Sequence, residues 1–432
     1  FFFQAEAGIR DRSPSRGLGD VYKRQSICLI GRTKVPISPA PSVNTWPSSS
    51  WEVVEPSEAN MDQSKLNAAL NYAFQEGRNT QSVVIIRHGV VVAERYKEGK
   101  NKDSLATSWS GAKSFTSALL GLAIDQGYIE SIDDKACNYL ERWSCEEVVC
   151  LSLDCPLSRP KISIRDILEM RSGLSPTDGI SIYSDKDDQL LHSLERSILT
   201  DPGKTFLYSN EDSMILSAVI STATGLTAKD YAEQELFLKI NMTGDWWTDK
   251  EGHTMTYCCI DTTPRNFARF GLLYARSGKW DGQQIISDYW YQESTKLADG
   301  LDNYGLHWWL YPSVNLIGAL GLHTNDIWVY KDLDLIVVRN SVFTKYGTES
   351  VRTGQNIHVT TAPNNWNNTD FLTLVTDSIK INKQIDNKKI VLVKPPNILD
   401  LFHPNVVISV FFKVDKYSQY IEMVIAKISA NM

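Results

Sequence analysis

The chain has 432 residues, 42% hydrophobic and 22% charged, with a formal net charge of -7. That balance provides material for a large core, while the acidic sign and the lack of a long Lys/Arg run exclude nucleic acid as a natural partner. No apolar run reaches the roughly 18–20 residues that a transmembrane helix needs, so no membrane span is expected.

Residues 1–25, FFFQAEAGIRDRSPSRGLGDVYKRQ, carry no hydrophobic periodicity and resemble a translated sequencing adapter, so they are set aside from fold reasoning. Residues 26–57 read as a leader and linker, on the strength of the Pro/Ser-rich SPAPSVNTWPSSSW. The folded domain is expected over 58–381. It opens with a helix in MDQSKLNAALNYAFQEG that stops at Gly77. SVVIIRHGVVVAERY then predicts two strands joined at His88-Gly89.

Next comes SWSGAKS, which contains Ser110 and Lys113. A Ser-x-x-Lys match alone is weak, because about two are expected by chance in a chain of this composition. The second, Ser158 to Lys161, contains Pro160, which disfavours a regular helix there. The first has a better setting. Apolar residues recur at Phe115, Ala118, Leu119, Leu122 and Ala123, predicting a helix from near Ser110 to Gly127. Ser110 would sit at the positive end of its dipole, with Lys113 one turn along on the same face.

Four of the seven cysteines, Cys137, Cys145, Cys150 and Cys155, lie within 19 residues without zinc-ligand spacing. A disulfide-tied surface loop is one reading of them, and free buried thiols are the other. With the sequons at Asn241 and Asn367, they lean the expected location toward the outside of the cytoplasm. Residues 160–300 read as mostly helical, in SIRDILEMRSGL, EDSMILSAVISTATG, AKDYAEQELFLKI and PRNFARFGLLYARSGKW. NDIWVYKDLDLIVVRNS predicts a second hairpin and NTDFLTLVTDSIKI a closing helix. Strands at both ends of the domain around a helical middle predict an α+β fold. Its antiparallel sheet is completed by distant parts of the chain, and a cleft lies against a mostly helical lobe. Residues 382–432, rich in Asn, Ile, Lys and Val, form a C-terminal extension beyond the finished domain.

Serine needs a base to act as a nucleophile, and lysine serves as one only when burial or a neighbouring charge holds it neutral. A second proton carrier must protonate the leaving group. Tyr208-Ser209-Asn210, in PGKTFLYSNED, supplies a candidate on a loop before a helix. Ser110, Lys113, Tyr208 and Asn210, with segments such as GLAIDQGYIESIDDKACNYL and YGLHWWLY, resemble the serine β-lactamase and DD-peptidase superfamily. The match is to its class C-like branch, which includes esterases, D-aminopeptidases and 6-aminohexanoate-dimer hydrolases. The resemblance runs from about residue 58 to 381.

The resemblance implies an acylated nucleophile at Ser110, proton transfer to Lys113, a second acid/base at Tyr208, and Asn210 bonded to Lys113 or to a substrate amide. The backbone N–H of Ser110 would be one oxyanion donor. It also places a third motif at His323-Thr324-Asn325, where His323 would support Tyr208 or a substrate carboxylate. Asn325 stands where the family commonly has glycine, and the second oxyanion N–H falls at Asp326. Tyr183 is a candidate lid aromatic. Trp246 and Trp247 either face the pocket or pack in the helical lobe. No Gly-x-Ser-x-Gly, His-Glu-x-x-His or phosphate-binding loop occurs. The expectation is therefore a small amide or ester substrate and no metal or organic cofactor. A scaffold that no longer catalyses, or a true β-lactamase, are the alternatives.

Overall fold

The β-branched runs on either side of His88-Gly89 produce the expected hairpin, with positive φ at both turn residues (54° and 78°), as a two-residue connection between twisted strands requires. The computed structural model describes residues 45–146, 159–177, 182, 186–344 and 359–380. The chain divides into two units, Phe1–Ile30 with Lys34–Asn382, and Gly31–Thr33 with Lys383–Met432; the second lies outside the described residues.

In chain order, helix α1 is Gln63–Ala73, followed by strands β1 (Thr80–Arg87), β2 (Val90–Tyr96) and β3 (Ala106–Thr107) and helix α2 (Ala112–Asp125). Helices α3 (Ile164–Leu168), α4 (Gln189–Leu194), α5 (Asn210–Thr224) and α6 (Ala228–Ala232) make up the helical middle. Strands β4 (Asp245–Trp246) and β5 (Ile260–Thr262) lead into α7 (Pro264–Ala275), the short hairpin β6 (Lys279–Trp280) and β7 (Gln283–Gln284), and α8 (Asp288–Ser294). The chain then returns to the sheet through β8 (Trp309–Tyr311), β9 (Leu316–Gly321), β10 (Asn325–Tyr330) and β11 (Leu335–Ser341), and α9 (Asn368–Asp377) follows.

The main sheet has the order β2-β1-β11-β10-β9-β8, with antiparallel pairs throughout. The two ends of the domain therefore meet at the β1–β11 seam, as expected. Alternation along each strand divides the core. Val84, Ile86, Ile317, Ala319, Ile327, Val329, Ile336 and Val338 face α2 and α7. Val83, Ile85, Leu316, Leu320, Trp328, Leu335 and Val337 face α1 and α9. Helix α7 comes so close to the sheet that a Cβ at Gly271 would lie 2.6 Å from Ile336 Cγ2. Within α2, Phe115 and Leu119 are fully buried, each contributing roughly 1.5–3 kcal/mol.

One boundary needs correction. The expected linker is already folded by residue 45, because its two tryptophans outweigh its Pro/Ser content. Trp51 is buried in the main core, and Trp46 packs on Trp280 under the Arg276 guanidinium. Arg269 of α7 donates to the carbonyls of Pro47 (3.1 Å) and Ser48 (2.9 Å). Of the cysteine cluster, Cys137 and Cys145 form a disulfide, and Cys150 and Cys155 lie outside the described residues. No described helix is long and apolar enough to cross a membrane.

Candidate active site

SWSGAKS folds as a 3-10 turn, Trp109–Gly111, running directly into α2 at Ala112, so the α-helix begins two residues later than expected. Trp109 is held at φ 45°, a costly conformation for a bulky residue just before the candidate nucleophile. Ser108 fastens this turn to the first residue of β5: its N–H donates to the Ile260 carbonyl (3.0 Å), and its Oγ accepts from the Ile260 N–H (2.9 Å). The pairing of β3 with β5 extends that contact and brings Tyr257 alongside α2.

The ammonium of Lys113 lies in a pocket of acceptors. It donates to Ser110 Oγ (3.2 Å), Asn210 Oδ1 (2.8 Å) and the Tyr257 carbonyl (3.0 Å). Burial lowers its pKa to about 7, opposed by the charge of Glu211. The Tyr208 ring lies 4.9 Å from Lys113 Nζ. Burial raises the Tyr208 hydroxyl far above its usual range, with a hydrogen bond to Ser110 acting the other way, so the phenol keeps its proton at neutral pH. Asn210 is the first residue of α5, whose N-cap Ser209 accepts from the Asp212 N–H. Capping thus fixes the helix end that presents Asn210 to Lys113. Tyr208 itself is braced by Tyr304 and Trp309.

Ser110, Lys113, Tyr208 and Asn210 therefore converge from two distant segments. Of the competing match, Ser158 lies outside the described residues, and Lys161 is exposed. Tyr183 also lies outside them. Trp246 and Trp247 are fully buried, and Trp246 packs on Phe115 and Phe237, so Trp246 belongs to the core of the lobe.

The third motif needs correction. The strand beside the nucleophile turn is β9, and His323 and Thr324 form the left-handed turn between β9 and β10. Arg339 of β11 holds that turn, donating to the carbonyls of His323 (2.8 Å) and Thr324 (3.0 Å) and to Thr324 Oγ1. His323 Nδ1 pairs with Thr360 Oγ1 (2.9 Å). Asn325 donates to the Leu322 carbonyl (2.6 Å) and accepts from the Ser341 N–H (3.1 Å). Asp326 faces Leu320 on β9 and Arg339 on β11, so its strand is paired on both sides and its N–H is not on a free edge. The glycine looked for at 325 is needed at 321. There, a Cβ would collide with the Ser108 carbonyl, 2.2 Å away. The registers explain the error: β8 pairs with β9 only up to Gly318, which leaves Ala319 to Gly321 to abut the nucleophile turn.

Three neighbours were missed. The Tyr257 carbonyl carries no residue-type signal. Glu211 directly follows Asn210, and its burial could have been suspected from the helix pattern. His307 is the only histidine of YGLHWWLY. It lies buried behind Lys113, with Nδ1 at the Leu168 carbonyl (2.8 Å) and Nε2 at Ser213 Oγ (2.9 Å). Burial and then the Lys113 charge push it down to about 3, so it is neutral. Its acceptor at Nδ1 assigns the proton to that nitrogen.

A family model, Beta-lactamase, matches residues 63–358, more than half of the chain. The chain belongs to the Beta-lactamase family. Among curated relatives, the 6-aminohexanoate-dimer hydrolase of Paenarthrobacter ureafaciens is 20% identical over 289 residues, 61% of this chain and 72% of that protein. A Bacillus anthracis structure, provisionally assigned as a 6-aminohexanoate-dimer hydrolase, superposes with a TM-score of 0.57 at 17% identity, covering 79% of this chain and 88% of its own. The octameric penicillin-binding protein homologue of Pyrococcus abyssi gives 0.52 at 15% identity, covering 65% and 74%. At these identities the structures share the fold, an antiparallel sheet with helices packed on it.

Proposed function

We propose that the protein is a serine hydrolase that forms an acyl-enzyme at Ser110. The observation that carries this reading is the Lys113 amine. It is buried, held near neutrality at about 7, and hydrogen-bonded to Ser110 Oγ. In the first half-reaction, Ser110 Oγ bonds to the substrate carbonyl carbon and its proton passes to the neutral Lys113 amine. The carbonyl oxygen becomes an oxyanion facing the backbone N–H of Ser110. The Gly321 N–H at the end of β9 is held by Asp326 Oδ1 (3.2 Å) and does not serve as a second donor. As the tetrahedral carbon collapses, Tyr208 protonates the departing amine or alcohol and recovers a proton from Lys113. Water then repeats the sequence, cleaving the ester to Ser110 and releasing the acid. Asn210 keeps the amine aimed at Ser110.

The proposed substrate is a small amide or ester: the names of two relatives point to a 6-aminohexanoate oligomer, and the superfamily resemblance adds a D-amino acid peptide or a short-chain ester. The test is intact mass after fluorophosphonate treatment of the full chain and of Ser110→Ala. One adduct on the parent, absent from Ser110→Ala, is expected; equal labelling of both would remove Ser110 from the reaction. A chromogenic cephalosporin separates the β-lactamase alternative, with slow turnover expected.

A further inference from the structure

Burying a carboxylate is unfavourable unless an opposite charge compensates it. The first turn of α5 buries two, Glu211 and Asp212. Asp212 is closed off by Arg196, whose Nη2 donates to its Oδ1 at 2.6 Å. Glu211 has no such partner among the described residues. Its Oε1 accepts from Thr177 Oγ1 and its Oε2 from Ser209 Oγ (3.2 Å), both neutral hydroxyls. The residue before it, Asn210, touches Lys113 Nζ. Lys113 in turn has only neutral acceptors: a hydroxyl, an amide oxygen and a backbone carbonyl. Among the described residues, one buried anion and one buried cation are thus without an ion pair, on two helices that meet where Asn210 accepts from Lys113.

We propose that Glu211 is the counter-charge of Lys113, a positioning residue that sets how readily the catalytic amine gives up its proton. The proposal rests on the hydrolase reading of this site and adds a residue to it. The other groups facing Lys113 do not supply negative charge at neutral pH. His307 is neutral, Tyr208 keeps its proton, and Tyr257 offers its carbonyl and ring. Arg196 reaches Glu211 only through Ser209 Oγ, to which its Nη1 donates at 3.2 Å. Glu211 offsets part of the burial penalty on the ammonium. It thereby keeps Lys113 protonated over more of the acid range than burial alone would allow.

The test is the pH dependence of fluorophosphonate labelling at Ser110 in the full chain. Removing the charge in Glu211→Gln makes the ammonium less favourable. The acid limb is then expected to move down by about one pH unit, and an unchanged limb would overturn the proposal. Thr177→Val removes a hydrogen bond and keeps the charge, so its limb should stay in place. If it moved as far as that of Glu211→Gln, hydrogen bonding rather than charge would be the cause and the proposal would fall. A second measurement needs no reaction at Ser110. In the Ser110→Ala background, the Lys113 amine followed by nitrogen-15 NMR should titrate about one pH unit lower once Glu211→Gln is added, whereas Glu211→Asp, which keeps the charge, should leave it in place. Identical titrations in Glu211→Gln and its background would overturn the proposal. Because the readout is the amine itself, it separates failure of the proposal from failure of the hydrolase reading.

Discussion

Lys113 and Arg339 are both buried cations, and burial does different work on each. Both are pushed down from their usual values, Lys113 to about 7 and Arg339 to about 9. Lys113 crosses into the range where it exchanges a proton at neutral pH. Arg339 remains charged and spends its guanidinium on the carbonyls of His323, Thr324 and Arg78 and the hydroxyls of Thr80 and Ser341, with the Trp366 ring 4.5 Å from Cζ. A point-charge amine with a few acceptors suits proton transfer; a planar fork with five donors suits holding a turn. Burial of a cation is therefore no sign of catalysis until its chemistry and partners are counted.

The sharpest way to break this contrast is to exchange the consequences. Lys113→Met should slow fluorophosphonate labelling of Ser110 by about 10³-fold, measured where both proteins remain folded, since general-base help is worth about 10²–10⁴. In the parent, labelling should fall tenfold per pH unit below about 7 and level off above it, because only the neutral amine accepts the Ser110 proton. A flat profile from pH 5 to 9 would take Lys113 out of the base role. Arg339→Ala should instead act on stability. Urea unfolding should show a loss of several kcal/mol, since each buried acceptor left without a donor costs about 1–3 kcal/mol, and Arg339→Lys should not restore it. Full stability in Arg339→Ala would show that the β9–β10 turn holds itself.

Gly321→Ala comes next. Its methyl would meet the Ser108 carbonyl, so a loss of about 1–3 kcal/mol is expected, together with slower labelling as the nucleophile turn shifts. The smallest effect belongs to Asn325→Gly. It removes two hydrogen bonds, worth about 1 kcal/mol each, and should leave the relative rates on an ester panel unchanged. A widened substrate range in this variant would restore residue 325 to the cleft.

The pairing of Ser110 with Lys113 was legible because three residues along a helix is a local distance. Tyr208-Ser209-Asn210 was legible as a loop entering a helix, where a short polar residue at the N-cap is the rule. The first hairpin could be read from its β-branched runs split by His88-Gly89, and the second from alternation around Lys331-Asp332. Strand β9 was not, since LIGALG carries two glycines in six residues and little alternation, and the error at 323–326 followed from it. Likewise, the Pro/Ser composition of 38–51 outweighed two tryptophans whose value depended on a surface formed by residues more than 200 positions away.

By itself, the sequence determined what depends on neighbours along the chain: helix periodicity, turn chemistry, the one-turn spacing of hydroxyl and amine, and a family pattern carried by short segments. Only the tertiary structure decided what depends on distant partners. The register that ends β8 at Gly318 lets β9 meet the nucleophile turn. The β3–β5 pairing carries a backbone carbonyl to Lys113. Desolvation, the sum of many surroundings rather than a property of one residue, brings that lysine to about 7.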